Sequence, residues 1–169
     1  MALERFFWID ERALAGCSRP GGPTSMVRTR AGVPAQRDAL DADLAELRER
    51  GIGALLSLTE QPLPAEVLER HGLAAAHVPI ADLTAPEPEE IERALGFIDV
   101  QRGLGRAIAV HCLMGQGRTG TVLAAYLIRA GASPEEALAR VRTVCPGAVG
   151  VPQQERALVA YARRRDWVV

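Results

Sequence analysis

His111-Cys112-Leu113-Met114-Gly115-Gln116-Gly117-Arg118-Thr119-Gly120 is the stretch that decides the architecture. The residues just before it, Ala107-Ile108-Ala109-Val110, make a short apolar run of the kind expected for a buried parallel strand. From Thr119 onward, Val122, Leu123, Tyr126 and Leu127 fall at helical spacing. A strand therefore feeds a loop, and the loop feeds a helix N-terminus, where free N–H groups and the positive end of the helix dipole attract an anion. Cys112 stands at the C-terminal edge of that strand, where the helix, Arg118 and His111 are all expected to favour the nucleophilic thiolate. Gly115 and Gly117 admit backbone conformations that let successive N–H groups converge, with Leu113, Met114 and Gln116 completing the cradle. Arg118 adds a planar two-pronged donor that a lysine would not reproduce, and Thr119 places a hydroxyl close to the sulfur.

Outward from this turn, strands alternate with helical patterns, which predicts a single α/β domain with a central, mostly parallel sheet flanked by helices. Leu40, Leu44 and Leu47 form a helical stripe that ends at Gly51, and a strand follows from Ile52 to Leu58. A helix is expected from Ala65 to His71, an extended segment from Leu73 to Ile80, and a helix from Pro88 to Arg102. Ser133-Pro134-Glu135-Glu136 reads as an N-cap, a Pro at the first helical position and a capping-box Glu, opening a helix to Val144. Pro146-Gly147 breaks it, and a last helix runs from Pro152 to Arg165.

The block from Cys112 to Thr119 fits Cys-x5-Arg-Ser/Thr, and His111, Gly115 and Gly120 fit a longer form of that pattern. On these residues the chain resembles the cysteine-based protein tyrosine phosphatases. The position of the block, about two-thirds of the way along, suits the small atypical dual-specificity branch of the VH1-like type. Phe6-Phe7-Trp8-Ile9, Leu14-Ala15-Gly16, Gly51-Ile52, Leu56 to Glu60, Pro79-Ile80-Ala81-Asp82 and Gln154-Glu155 fall in the order seen in that branch. The resemblance spans nearly all of residues 1–169, with residues 19–37 as a loop-like insert. It implies a dual-specificity-phosphatase-like fold and hydrolysis of phosphomonoesters through a cysteinyl-phosphate, with no metal and no cofactor.

A departing phosphoester oxygen needs a proton, and a placed acid contributes a factor of about 10² to 10⁴. Asp82 lies on a loop after Ala76-His77-Val78-Pro79-Ile80 and ahead of Pro86 and Pro88. The resemblance puts the acid here, with Ala81-Asp82 in place of the usual Pro-Asp. Asp99 and Glu60 are weaker rivals: Asp99 falls within the helical pattern Ile91, Ala94, Leu95, Ile98 as a surface charge, and Glu60 follows the buried strand expected from Ala54 to Leu58. Glu60 is implied at the site rim, and Gln154 as the group that positions the hydrolytic water, with Gln153 as its neighbouring competitor. His111 is expected to support the loop through hydrogen bonds rather than act as the base. His71 and His77 show no metal spacing, and Cys17 and Cys145 read as packing residues or as a backup thiol.

Net charge is −1, which excludes a general attraction to nucleic acid or an anionic membrane. All 20 basic residues are arginines, since the chain contains neither lysine nor asparagine, a bias that fits a GC-rich, bacterial genome. Three cysteines argue against a disulfide framework, and no apolar run reaches the roughly 20 residues of a membrane span, so a cytoplasmic location is expected. Two substrate classes follow: a phosphorylated protein or peptide, with phosphotyrosine first, or a non-protein phosphate such as an inositol phosphate, a phosphoinositide or an RNA 5′ end. Apolar Leu113 and Met114 favour the first. A phosphate-binding adaptor without turnover is a third reading, disfavoured because Cys112, Arg118 and Asp82 are all present. Nothing in the sequence signals an oligomeric state.

Overall fold

The computed structural model describes residues 3–22 and 34–166. Five strands form one sheet in the order β1-β2-β5-β3-β4. They are β1 (Phe6–Asp10), β2 (Leu14–Cys17), β3 (Ile52–Ser57), β4 (Ala74–His77) and β5 (Ala107–His111). The β1–β2 pair is antiparallel and every other pair is parallel, giving the mostly parallel sheet that the sequence predicts. The helices are α1 (Pro34–Glu49), α2 (Ala65–Arg70), α3 (Pro88–Gly103), α4 (Gly117–Arg129), α5 (Pro134–Val144) and α6 (Pro152–Asp166). Of the insert expected at 19–37, residues 23–33 lie outside the described residues, and Pro34 already belongs to α1.

The central strand is β5, and its two faces explain the layers. Ile108 and Val110 pack into a core with residues of α3, α4, α5 and α6 such as Ile91, Leu95, Leu123, Val141 and Leu158. Ala107 and Ala109 face the opposite cluster, where Leu44 and Leu47 of α1 and Val67 and Leu68 of α2 cover the sheet. Alternate residues thus enter opposite cores, as the period of two along a strand requires. Full burial of each leucine in these layers contributes about 1.5–3 kcal/mol. At α5, Ser133 Oγ accepts from Glu136 N–H at 3.1 Å and Glu136 Oε2 accepts from Ser133 N–H at 2.8 Å, the reciprocal cap read from the sequence. Removing that cap with Ser133→Ala would cost about 1 kcal/mol.

Both neighbours of β5 run parallel to it, so three strand ends, Cys17, Ser57 and His111, finish at one edge of the sheet. Cys112 is the next residue. A ligand crevice beyond the carboxyl ends of parallel strands is the general outcome of such a topology.

Candidate active site

Cys112 is 3% exposed and Arg118 is 2% exposed, so both are buried at the foot of α4. The loop between them is tied outward, carbonyl by carbonyl. Leu113 C=O accepts from Arg19 N–H at 3.0 Å, and Gln116 C=O accepts from Gly120 N–H at 2.9 Å and Val149 N–H at 3.3 Å. Met114 C=O accepts from the Arg5 guanidinium, and Gly115 C=O accepts from the Cys145 thiol at 3.6 Å. In a trans peptide the C=O and the following N–H point in opposite directions. Carbonyls turned into the protein therefore turn the amides of Met114, Gly115, Gln116 and Gly117 toward the cavity. Among the described residues, no hydrogen bond is made by the N–H of Met114, Gly115 or Gln116.

Gly115 is needed for this geometry on two counts. Its φ is +71°, and a Cβ there would lie 2.5 Å from the carbonyl carbon and oxygen of Cys17. The end of β2 and the loop are thus in direct backbone contact.

The buried side-chain polar atoms left without a partner among the described residues are Arg118 Nε, Thr119 Oγ1 and Gln154 Oε1. Unpaired buried polar groups are costly and rare in folded proteins. Their concentration around one turn marks a place built for a polar guest.

Arg118 spends the rest of its guanidinium on two carboxylates. Nη1 donates to Glu60 Oε2 at 3.0 Å and to Ile80 C=O at 2.8 Å, while Nη2 pairs with Asp82 Oδ1 at 3.0 Å. Glu60 Oε1 also accepts from Asp82 N–H at 2.8 Å, so Glu60 links the arginine to the loop that carries Asp82. Burial works to raise the Glu60 pKa, but hydrogen bonds from the backbone N–H groups of Glu60 and Asp82 and from Arg118 outweigh it and hold the carboxyl below its ordinary range. Glu60 and Asp82 come from separate loops, after β3 and after β4, and meet only through this pairing.

Gln154 is 2% exposed on the first turn of α6, and its Nε2 donates to Thr84 C=O at 3.1 Å. Gln153 is exposed, so of the two glutamines only Gln154 faces the cavity. Asp82, Cys112, Gln116, Arg118 and Gln154 share one cavity of about 210 Å³ with Leu83 and Met114 at its mouth. Asp99 lies elsewhere, paired with Arg129 on the helix surface, as its pattern predicts.

His111 corrects one expectation. It is fully buried, and desolvation pushes its pKa down to about 3, with Arg19, His77 and Arg118 acting in the same direction. The imidazole is neutral and lends no positive charge to Cys112. Its Nδ1 lies 3.2 Å from the Cys112 carbonyl, an acceptor, so the proton is on Nδ1, and Nε2 accepts from Ser57 Oγ at 2.6 Å. The ring buttresses the start of the loop through those two contacts.

His71 bonds Asp41 and His77 bonds the Thr59 carbonyl, both as packing groups. Among the described residues no group of His, Cys, Asp and Glu is arranged to hold a metal ion. Cys17 and Cys145 are buried and free, and burial raises the pKa of each, with Cys112 adding to the effect, so both remain thiols. Sequence reasoning missed the braces Arg5, Arg19, Ser57 and Arg142. The last donates to Ala148 C=O and Val149 C=O, both at 3.1 Å, and fixes the wall of the cavity behind Gln116. None of these carries a local signal, because each acts on residues distant in sequence or on carbonyls.

A larger hollow of about 550 Å³ lies between α3 and α6, lined by Glu89, Glu92, Arg129 and Tyr161 among others, with no cysteine in its lining among the described residues. Size does not pick out the site; chemistry does. No helix among the described residues is long and apolar enough to cross a membrane.

Comparison with known proteins agrees with this geometry. Residues 29–132 match the family described as "Polymorphic toxin system, DSP-PTPase phosphatase". The chain is 29% identical to the dual specificity protein phosphatase CDC14C of Symphalangus syndactylus over 87% of its own length and 29% of that protein. It is 32% identical to the phosphatidylglycerophosphate phosphatase PTPMT1 of Arabidopsis thaliana over 71% of its length and 37% of that protein. It therefore spans only about a third of these relatives. The crystal structure of Tk-PTP in its active form matches over 95% of this chain and 98% of that one, with 30% identity and a TM-score of 0.78. With the loop, the sheet order and these matches in agreement, the chain belongs to the DSP-PTPase phosphatases, a dual-specificity branch of the cysteine-based tyrosine phosphatase superfamily.

Proposed function

We propose that residues 1–169 form one phosphatase domain that hydrolyses phosphomonoesters through a cysteinyl-phosphate. The observation that carries this reading is the unpaired Arg118 Nε beside inward-facing amides over Cys112, with Asp82 on the same guanidinium. Cys112 Sγ attacks phosphorus, the S–P bond forms as the bond to the leaving oxygen breaks, and a protonated Asp82 gives that oxygen its proton. Arg118, through Nε and Nη2, and the loop amides carry the charge on the other oxygens, the work a metal ion does in other phosphatases. An entering phosphate competes with Asp82 for Nη2, which turns the carboxyl toward the leaving group.

Water then attacks phosphorus, the S–P bond breaks with its electron pair returning to sulfur, and Asp82 takes the proton. Gln154 positions that water through its unpaired Oε1, and the Thr119 hydroxyl stabilises the departing thiolate. Glu60 and His111 act as positioning residues, one on Arg118 and the Asp82 loop, the other on Ser57 and the Cys112 carbonyl.

The substrate this reading favours is a phosphorylated protein or peptide, met in a cytoplasm reducing enough to keep three thiols free. Among the described residues Arg118 is the single cation lining the cavity, which suits one phosphate better than a polyanion. A lipid phosphate is the second reading, favoured by the similarity to the phosphatidylglycerophosphate phosphatases of Arabidopsis thaliana. The deciding experiment measures aryl phosphate hydrolysis by wild type and Cys112→Ser, then compares phosphopeptides with phosphatidylglycerophosphate and inositol phosphates. Loss of turnover in a folded Cys112→Ser protein is expected. Undiminished hydrolysis by that variant would overturn the cysteinyl-phosphate route, and a preference for the lipid would replace the peptide reading.

A further inference from the structure

Leu83, next to Asp82, breaks two local rules at once. Its φ is +59°, the left-handed region that glycine and asparagine occupy at far lower cost than a branched side chain. Its side chain is 70% exposed, so no burial offsets that strain. The turn around it is well formed: Thr84 N–H and Thr84 Oγ1 donate to Ala81 C=O at 3.2 and 2.7 Å, and Leu83 N–H donates to Asp82 Oδ1 at 3.0 Å. Glycine at 83 would serve that turn better. Conflicts between local preference and structure gather where function demands them.

The position of the side chain says what the function is. Leu83 and Met114, the latter 49% exposed, both line the cavity that holds Cys112 and Arg118. They lie on different loops and share only this opening. The polar groups are at the base and the two large apolar side chains are at the mouth, where a leaving group passes Asp82. We infer that Leu83, opposed by Met114, is a specificity-determining residue that grips a flat, apolar leaving group and makes the enzyme prefer aryl phosphoesters to short alkyl ones. This rests on the phosphomonoesterase reading of the site. A ring removes the exposed Leu83 and Met114 surface from water, whereas a serine-derived ester is too short to cover them. A multiply charged headgroup would meet apolar surface where it needs a second cation.

The test uses the intact chain and Leu83→Gly, which suits the left-handed backbone and leaves Asp82 and Cys112 in place. Affinities for phenylphosphonate and methylphosphonate are measured by calorimetry, alongside kcat/KM for phosphotyrosine and phosphoserine peptides of one sequence. Wild type is expected to prefer the phenyl compound, and Leu83→Gly to reduce that preference about tenfold, with the phosphotyrosine loss mainly in KM and no fall in Tm. Leu83→Met restores the preference. An unchanged phenyl-to-methyl ratio overturns the inference, as does an equal loss on both peptides, which would make Leu83 a brace for Asp82. If the binding preference holds while wild type turns over no phosphoester, the phosphatase reading fails and the aryl grip stands.

Discussion

Two loops meet at Arg118 and are built on opposite plans. In the loop from Cys112 to Arg118, each carbonyl from Leu113 to Gln116 is tied to a different part of the protein, from Arg5 near the start of the chain to Val149 near its end. In the loop from Ala81 to Thr84, the Asp82 and Leu83 side chains stand in solvent, and the loop is fastened through Glu60, Arg118 and Gln154. The first has its donors set before any substrate arrives, so the proposed reaction would need little reorganisation as charge develops on the phosphoryl oxygens. In the proposed reaction the second carries the group that must change partners and protonation state, and a loop packed on all sides could not do that. Rigid cradle and adjustable acid are joined by one guanidinium.

The comparison breaks most sharply at Gly115. An alanine there would drive Cβ to 2.5 Å from the backbone of Cys17 while holding φ at +71°. Both neighbours are main chain, so neither can swing aside. Overpacking of this kind costs about 1–3 kcal/mol and a left-handed residue about 1–2 kcal/mol. Gly115→Ala is expected to lose about 2–5 kcal/mol in denaturant unfolding and to lose aryl phosphatase activity almost entirely, because the amides no longer converge. Wild-type stability with full activity would show that the cradle is not set by its contact with β2.

Asp82 sharpens the other side. Asp82→Asn keeps an oxygen for the Leu83 N–H, so the turn survives while the proton donor is lost. A fall in kcat of about 10² to 10⁴ is expected for an alkyl or phenyl leaving group, shrinking as the leaving group becomes acidic enough to depart unprotonated. Equal losses across a series of leaving groups would remove Asp82 from the acid role.

How much of this was legible in the sequence depends on the range over which each feature acts. The strand, loop and helix around Cys112, the cap at Ser133 and Glu136, and the spacing of Asp82 are local or motif-borne, and the fold and the cluster of site residues follow them. Arg5 braces Met114 across 109 positions, and Arg142 acts on carbonyls, so neither leaves a pattern to read. Leu83 hides for a different reason: left-handed backbone is signalled by glycine or asparagine, and leucine there reads as an ordinary apolar residue. The choice between Gln153 and Gln154 needed the phase of α6 against the loop. His111 shows the same limit in electrostatics, since a histidine beside a nucleophilic cysteine reads as a cation until its burial is known.

That charge state yields the smallest and most specific prediction. Burial lowers the His111 pKa from 6.5 to about 3, so between those values the unfolded chain binds a proton that the folded chain refuses. The stability tied to the neutral ring is therefore complete above pH 6.5 and is lost as pH falls toward 3. The slope this adds approaches about 1.4 kcal/mol per pH unit at most. His111→Asn keeps a donor for the Cys112 carbonyl but has no proton to gain, so it should be less stable than wild type at pH 7.5 and lose stability less steeply on acidification to pH 5. Urea unfolding at several pH values would show the two curves converging. Parallel curves would mean that His111 titrates alike in both states, and the ring could then take the positive charge beside Cys112 that its burial now argues against.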